Sequence, residues 1–406
     1  MIHLYVWFRP PAGSPLQVGE ILVEDPDANH GGRVRGEFRY APEFLEQSSA
    51  FALDPFHLPL GADPINVENP ATGLHGVFED SLPDAWGRAI MCHRYNLPRP
   101  QQRAAHLLQR LGPEAMGALA YTRSPRWQGE TEIAKLPDLA GLVKAAERYE
   151  KEPDTSMDEM MRLFKAGSSP GGARPKVLVN EDNTHWLAKF PSVKDTFDMV
   201  RVEAATLATA RDAGIEVPEF SVLELGSRAA LLVKRFDVTG NGGRNHVVSM
   251  KTLLGAENYY YLGYGDMADV VRRLSDRPGK DLKGLFRQCV FNAMVGNTDD
   301  HLKNFSMVRS RQGWHLTQAY DLLPDVGNNR EHVLHFGTSG TAPSMDALYA
   351  LGKTFGISPK MTRAIINEVI NAVSGFSSQC EAYAVPAENM TRLIGRMHLL
   401  DKKGSH

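Results

Sequence analysis

The run from Asn297 to Asn304 concentrates the side chains that could do chemistry. Asp299 and Asn304 are five positions apart. At this spacing a protein-kinase catalytic loop carries the carboxylate that accepts a hydroxyl proton and the amide that binds Mg²⁺. His301 lies in the same turn, and Lys303 could neutralise charge on a transferring phosphoryl group. Taken alone, the run is also compatible with a polar turn between a helix and a strand.

A second acid follows at Asp321, 17 residues beyond Asn304. A kinase needs a further metal-binding carboxylate after the hairpin that follows its catalytic loop. Because Mg²⁺ takes few protein oxygens together with phosphate oxygens, one Asn and one Asp suffice. No Phe-Gly pair follows Asp321, so the match is one of position. A turn-forming aspartate at the end of a strand is the alternative.

Lys189 stands inside an apolar strand pattern, and Glu203 follows 14 residues later in a predicted helix. In kinases a strand lysine contacts the α- and β-phosphates of ATP, and a helix glutamate holds that lysine. The spacing predicts the same pair here. A lysine with no such role on a half-buried strand is the alternative.

A glycine-rich turn over 167–175 precedes a predicted strand that begins at Lys176. Gly171, Gly172 and Ala173 leave the backbone N–H groups free to surround an anion, so the turn is a candidate phosphate loop. The turn lacks the G-x-x-x-x-G-K-[ST] spacing of the P-loop in nucleotide hydrolases. It also lacks the G-x-S-x-G pattern that surrounds the nucleophile of many hydrolases. A plain glycine-rich turn is the alternative.

The elements that must position these residues begin with β patterns at 4–8, 16–23 and 36–40. A helix is expected to start at Asp80, with Pro83 in its first turn. Further strands are predicted at 176–179, 185–190 and 229–233, with a helix over 200–213 that ends at Gly214.

The second half of the chain is mostly helical. One helix carries an apolar face through 286–294 and ends at Gly296, followed by a hairpin over 305–323 and helices over most of 345–400. This order predicts an α+β, two-lobed fold similar to a protein kinase. Its expected parts are a β-rich N-terminal subdomain at 1–125, an N-lobe with phosphate loop and hinge at 126–240, and a mainly α-helical C-lobe at 241–406.

The composition is that of a globular protein, with 42% hydrophobic and 23% charged residues. The net charge of −3 argues against a free-standing nucleic-acid binder, which carries a basic excess. The three cysteines are far apart and predict neither a disulfide framework nor a zinc site. The sequence contains no signal-peptide pattern and no long apolar run, so a cytoplasmic protein without membrane contact is expected.

Several segments resemble HipA-type serine/threonine kinases, the toxin half of bacterial type II toxin–antitoxin pairs. The most specific is the run 290–306, VFNAMVGNTDDHLKNFS. Similar segments to those of the family are also found at 320–324, 231–237 and 172–176, and at 38–44, 78–84 and 111–118 in the N-terminal third. The resemblance therefore covers nearly the whole chain.

The resemblance implies that Asp299 is the catalytic base and that Asn304 and Asp321 bind Mg²⁺. It implies that Lys189 contacts the phosphates of ATP. The backbone near Lys234 and Phe236 would bind the adenine.

The resemblance further implies autophosphorylation of a serine just before the phosphate loop. Ser169 stands at that position, and Ser168 is its neighbouring candidate. A phosphate there adds a charge of about −1.5 to −2, which would repel ATP from the loop.

Family members commonly phosphorylate a translation component such as an aminoacyl-tRNA synthetase. A small helix-turn-helix antitoxin usually neutralises them, and through it they contact DNA only indirectly. The alternatives are a catalytically weak corepressor scaffold in an antitoxin–DNA complex, a small-molecule kinase, and a metal-dependent hydrolase built on Asp299, Asp300 and His301. The hydrolase lacks a second His or Glu cluster to complete its ligand set.

Overall fold

The computed structural model describes residues 1–67, 71–111, 115–127, 134–135, 139–151, 174–182, 184–240, 242–256, 261–327, 329–395 and 397. Only the backbone is described for His30 and for 134–135. Contacts divide the chain into two compact units. One comprises Met1–Val193, Lys234–Val248 and Arg309–Arg311, and the other Lys194–Val233, Ser249–Val308 and Gln312–His406. The three-domain division expected above stays a prediction.

The strands are β1 Ile2–Phe8, β2 Leu16–Val23, β3 Gly36–Tyr40, β4 Ile65–Asn66, β5 Leu119–Thr122, β6 Ala134–Lys135, β7 Lys176–Glu181, β8 Thr184–Lys189, β9 Phe220–Leu225, β10 Arg228–Lys234, β11 His246–Ser249, β12 Ser306–Ser310 and β13 Gly313–Leu316.

The α-helices are α1 Pro42–Leu45, α2 Gly76–Glu79, α3 Ala85–Arg94, α4 Ala104–Leu111, α5 Leu139–Lys151, α6 Met199–Asp212, α7 Met250–Leu253, α8 Tyr264–Leu274, α9 Pro278–Val295, α10 Met345–Thr354, α11 Pro359–Ser374, α12 Phe376–Ala382 and α13 Ala387–Ile394. Short 3₁₀ turns occur at Ala28–His30, Arg99–Gln101, Leu302–Asn304 and Gly337–Ser339.

The first unit contains an antiparallel sheet in the order β4-β3-β2-β1-β5. Alternate residues of its strands are apolar and buried, as expected of a sheet with one face on the core. Tyr40 is buried and its hydroxyl donates to the Leu58 carbonyl at 2.7 Å while accepting from the Leu53 amide at 3.0 Å. These bonds tie the segment after α1 to the sheet.

The same unit contains the hairpin of β7 and β8, with β6 parallel to β7. The buried positions of β7 are Lys176 and the apolar Val177, Leu178 and Val179. The turn between the strands includes Asp182 at φ 46°, a left-handed conformation that aspartate tolerates better than most residues. The strands predicted at 176–179 and 185–190 are thereby confirmed.

In the second unit, α9 is the central element. Its buried face includes Phe286, Val290 and Met294, which are fully enclosed, and it packs against α8 and α11. Proline at the first helical position begins α9, and Gly296 at φ 71° ends it. The helix predicted from this apolar face and its glycine stop is confirmed, and so are the helices expected over 345–400.

Two expected element boundaries are wrong. Pro83 does not lie in the first turn of a helix, because α3 begins at Ala85 after Asp84, whose backbone is extended. The hairpin ends at Leu316, so Asp321 lies in irregular backbone five residues beyond the strand rather than at its end. None of the described helices is long and apolar enough to cross a membrane.

Candidate active site

The loop after α9 is held on both sides by backbone hydrogen bonds. The Asp325 amide donates to the Gly296 carbonyl at 2.8 Å, and the Val333 amide donates to the Thr298 carbonyl at 3.2 Å. Leu302, which lies in the 3₁₀ turn of the loop, is fully buried. The loop is therefore anchored at its start by residues that follow it in the chain, and its middle is held by the burial of Leu302.

Asn304 and Asp299 are in direct contact. The Asn304 side-chain nitrogen donates to the Asp299 carbonyl oxygen at 2.9 Å. Only 8% of Asn304 is exposed, so its amide has little freedom to rotate. Since the nitrogen is used within the loop, the amide oxygen is the atom available to a cation.

The Asp299 carboxylate faces solvent, with 83% of its side chain exposed. Nearby protein atoms nevertheless remove part of its water shell, and this desolvation raises the pKa of Asp299. The charges of Asp321, Asp300 and Asp325 act in the same direction, whereas His301, 3.9 Å away, lowers the pKa. Water around so exposed a side chain screens these charge interactions.

Asp321 adopts φ 57°, a left-handed conformation uncommon for residues other than glycine. Tyr320 next to it fixes the segment. Its hydroxyl donates to the Lys303 carbonyl at 2.9 Å and contacts the Ser306 hydroxyl at 2.8 Å. One side chain therefore ties the segment that carries Asp321 to the loop that carries Asp299. Sequence reasoning missed Tyr320, since no local pattern marks its distant partners.

Asp300 points away from Asp299 into the core and is fully buried. It accepts hydrogen bonds from the Tyr264 hydroxyl at 2.7 Å and from the Val333 amide at 2.9 Å, and it contacts the His332 ring nitrogen at 3.0 Å. Its oxygens are therefore occupied by protein groups. This arrangement does not support the hydrolase alternative, in which Asp300 would share a metal with its neighbours.

The network around Asp300 extends into α9. The Asn292 side chain donates to the Tyr264 hydroxyl at 3.0 Å and accepts from the Asn297 side chain at 3.1 Å. Burial and the Asp300 charge raise the pKa of Tyr264 far above its usual range, so Tyr264 remains a hydrogen-bond donor. These residues were also missed from sequence, apart from their proximity to the predicted loop.

In the first unit, Lys176 and Lys189 are direct partners across the β7–β8 hairpin. Directly opposed residues share a face of a sheet, so the two lysines lie side by side. Lys176 is buried, Lys189 is half-buried, and the Phe190 amide closes this end of the hairpin on the Pro175 carbonyl at 2.9 Å. Two opposed lysines at one end of this hairpin are candidates for contact with phosphate.

Glu203 is buried within α6 in the second unit, and its predicted pairing with Lys189 stays a prediction.

In the first unit, the predicted adenine segment at Lys234 and Phe236 flanks a buried ion pair. Arg235 contacts Asp237 at 2.6 Å.

This ion pair is tied to the N-terminal part of the unit. The Arg235 guanidinium donates to the Ala115 carbonyl at 2.9 Å, and the Gly117 amide donates to the Asp237 carboxylate at 2.7 Å. Despite complete burial, which acts to raise it, the pKa of Asp237 is lowered, because Arg235, Arg244 and the Gly117 amide stabilise the charged form.

Five predicted residues lie outside the described part of the chain: Ser168, Ser169, Gly171, Gly172 and Ala173. The candidate phosphate loop and its phosphorylated serine therefore stay predictions.

The donor set fits magnesium better than a transition metal. No group of three His, Cys, Asp or Glu side chains able to hold a metal occurs among the described residues. One amide oxygen of Asn304 and one carboxylate of Asp321 would leave most positions of an octahedral ion to water and phosphate, as Mg²⁺ prefers.

The chain is similar to several known proteins along most of its length. Residues 18–122 match the HipA N-terminal domain, and residues 168–375 match the HipA-like C-terminal domain. The Sinorhizobium fredii protein Y4mE is 27% identical over 84% of this chain and 88% of its own length. The serine/threonine-protein kinase toxin HipA of Shewanella oneidensis is 24% identical over 53% of this chain and 55% of its own length.

One solved structure extends the likeness to almost the whole molecule. Shewanella oneidensis HipA, determined in complex with HipB and operator DNA, aligns with a TM-score of 0.72 over 98% of this chain and 95% of that chain. At 17% identity this is a similarity of fold, and it confirms the predicted α+β, kinase-like class. The two domain matches together span most of the sequence, and the chain belongs to the HipA family.

Proposed function

We propose that this protein is an ATP- and Mg²⁺-dependent serine/threonine protein kinase that acts as the toxin of a toxin–antitoxin pair. The observation that carries the proposal is the Asn304 bond to the Asp299 carbonyl, at 2.9 Å. This bond joins the predicted base and a predicted metal ligand in one short, anchored loop. An exposed carboxylate beside an oriented amide oxygen is what transfer of a phosphoryl group to a hydroxyl requires.

In the proposed reaction Asp299 accepts the proton of the substrate hydroxyl. The hydroxyl oxygen forms a bond to the γ-phosphorus of ATP, the bond from that phosphorus to the β–γ bridging oxygen breaks, and ADP leaves. Lys176 and Lys189 would contact the phosphates, and Lys303 would offset charge on the transferring group. Mg²⁺ held by Asn304 and Asp321 would neutralise the phosphate oxygens.

The proposal includes autophosphorylation of Ser169, with Ser168 as the neighbouring candidate. It also includes a protein substrate from the translation machinery, such as an aminoacyl-tRNA synthetase. The proposed partner is a small helix-turn-helix antitoxin that brings the kinase to DNA indirectly. The support for this partner is the family membership and the HipB–operator DNA complex of the structural relative.

The decisive experiment incubates the purified chain with Mg²⁺ and ATP and locates new phosphate groups by mass spectrometry. We expect one phosphate at Ser169 or Ser168 in the wild type. Asp299→Asn should slow transfer by about 10²–10⁴-fold, because general-base catalysis contributes that much. Asp63→Asn is the matched control, since Asp63 is an exposed aspartate elsewhere in the chain.

Equal transfer by the wild type and Asp299→Asn would contradict the proposed mechanism. If the wild type binds ATP in calorimetry but transfers nothing to itself or to a panel of aminoacyl-tRNA synthetases, the scaffold alternative replaces the kinase.

Lys189→Met should weaken ATP binding by about tenfold or more, because a charge-assisted contact to phosphate is lost.

A further inference from the structure

A pocket of about 400 Å³ lies within the second unit, apart from the loop that carries Asp299. It is lined by the turn after α6, the first half of α9 and the residues that follow β13. Its volume falls in the range of small-molecule sites in proteins. The proposed kinase reaction gives it no role.

Four cationic side chains line this pocket: Arg277, Lys280, Lys283 and Arg287. The carboxylates of Glu216 and Asp281 line it with them, and Arg287 also pairs with Glu368 at 2.6 Å. The positive end of the α9 dipole adds to their potential, since Arg277 precedes the first turn of that 18-residue helix.

The Asp281 carboxylate is engaged by protein donors, and its charge balances that of Arg277. It is 3% exposed, and it accepts from the Arg277 guanidinium at 3.0 Å, the Ser275 hydroxyl at 2.7 Å and the Leu316 amide at 2.8 Å. Glu216 pairs with Lys280 at 2.5 Å near the surface, where such a pair contributes little. The Lys283 ammonium, by contrast, has no carboxylate partner among the described residues.

Gln288 is the observation that points to a ligand. It is only 4% exposed and it lines the pocket. No described residue makes a hydrogen bond with its side-chain amide. A side-chain amide without a protein partner bonds water or another molecule in the pocket. Its N–H, in the same pocket as the Lys283 ammonium, is suited to an oxygen of an anion.

Two of the residues that line the pocket, Gly284 and Gly214, are glycines without side chains to fill it. Gly284 lies one helical turn before Gln288 on α9, and a Cβ added there would only touch Leu316 at 4.0 Å. Gly214 at φ 76° turns the chain after α6 beside the Arg287 guanidinium. A longer side chain at position 284 would therefore enter the pocket without disturbing the backbone.

We propose that this pocket binds a small molecule carrying phosphate or carboxylate groups, whose oxygens contact Lys283, the Gln288 amide and the remaining guanidinium donors. The site goes beyond the proposed kinase function and does not depend on it. The pocket also borders the segment that leads to Asp321, because the Ala319 amide bonds the Glu216 carbonyl at 2.8 Å. Occupancy would thus stabilise a segment next to a predicted metal ligand.

The test titrates the full chain with pyrophosphate and, separately, with citrate by calorimetry at constant ionic strength. Pyrophosphate represents phosphate ligands and citrate represents carboxylate ligands. Lys283→Met removes the unpaired charge, and Gly284→Met fills the space without changing charge. Lys360→Met is the control, because it removes an exposed lysine from α11, outside the pocket. Lys189→Met reports binding at the predicted nucleotide site.

We expect at least one probe to bind wild type and Lys360→Met equally. Lys283→Met should bind about tenfold more weakly, as expected for loss of a charged hydrogen bond, and Gly284→Met should not bind measurably. The proposal is overturned if neither probe binds. It is also overturned if only Lys189→Met loses binding, which assigns the probe to the nucleotide site, or if all pocket variants bind like wild type, which shows an adventitious ion only.

Discussion

Tyr320 shows how one hydroxyl can govern a site without touching the reacting atoms. Its two contacts, to the Lys303 carbonyl and the Ser306 hydroxyl, connect the backbone before Asp321 with the loop that follows α9. Because Tyr320 is fixed in this way, the Asp321 carboxylate and the Asn304 amide are expected to keep a constant separation. Catalysis that depends on orientation requires such a fixed arrangement. Tyr320 is a positioning residue in this sense.

Replacing Tyr320 with Phe removes only the hydroxyl. We expect a loss of about 1 kcal/mol in the free energy of unfolding, the net value of a hydrogen bond, and a decrease in the turnover rate with little change in KM for ATP. Urea denaturation and steady-state phosphorylation measure the two effects. Tyr349→Phe is the control, because Tyr349 is 40% exposed on α10. Unchanged turnover in Tyr320→Phe would show that the hydroxyl does not position the site.

His246 should make the stability of the protein depend on pH. Complete burial lowers the pKa of His246 to about 4, and its ring nitrogen contacts the Leu53 carbonyl at 2.7 Å. In the unfolded chain the pKa returns to about 6.5. Below that pH the unfolded chain binds a proton that the folded chain does not, so stability falls as pH decreases from about 6.5 to 4.

The contribution of His246 to this slope is at most about 1.4 kcal/mol per pH unit. Gln at position 246 can still donate to the Leu53 carbonyl but cannot titrate. We therefore expect His246→Gln to have a smaller loss of unfolding free energy between about pH 6.5 and pH 4.5, measured by urea denaturation. An identical dependence of unfolding free energy on pH in both proteins would contradict this prediction. It would mean that His246 binds its proton equally in the folded and unfolded states.

At the scale of elements, the end of α9 decides where the candidate catalytic loop begins. Gly296 at φ 71° leaves the helix in a left-handed conformation, and its carbonyl accepts the Asp325 amide at 2.8 Å. A Cβ at this glycine would meet nothing within 4 Å, so any effect of adding one comes from the backbone conformation alone.

Gly296→Ala should lower the free energy of unfolding by about 1–2 kcal/mol, the cost of a left-handed conformation for an L-residue. Gly141→Ala in α5 is the matched control and should raise stability by about 0.5–1 kcal/mol, because Gly141 has no neighbour within 4 Å and lies inside a helix. Equal effects of the two substitutions on thermal unfolding would contradict the role assigned to Gly296.

Elements with local signals could be predicted from sequence. Each of three features is encoded within its own short segment: the β2 pattern, the glycine that ends α9, and the spacing of Asp299 and Asn304. The Asp300 network could not be predicted, because Tyr264 and His332 lie 36 and 32 residues away from Asp300 in the chain. Pro83 was misplaced for a related reason. Proline is acceptable both in the first turn of a helix and before it, and tertiary packing selects between these positions.

At the scale of the whole molecule, charge limits the partners of the isolated chain. Lys and Arg number 45 against 48 Asp and Glu, so no general attraction to nucleic acid is expected. This balance agrees with the proposal that a separate antitoxin makes the DNA contacts.

The isolated chain should accordingly bind a DNA duplex weakly. Fluorescence anisotropy across a series of salt concentrations should give a shallow dependence of affinity on salt, because few counterions are released. Adding the proposed antitoxin should produce tight binding with a steep dependence on salt. Tight, salt-dependent binding by the chain alone would contradict the indirect role in DNA contact.

The left-handed backbone of Asp321 has a consequence for how this gene can change under selection. Glycine relieves the unfavourable conformation by about 1 kcal/mol, and a single base change converts an aspartate codon to a glycine codon. Such a change would remove the carboxylate and its contacts while keeping the backbone conformation. Under the proposed function, inactive proteins with glycine at position 321 should therefore arise in a population selected against the activity, and they would remain folded and able to bind the proposed antitoxin.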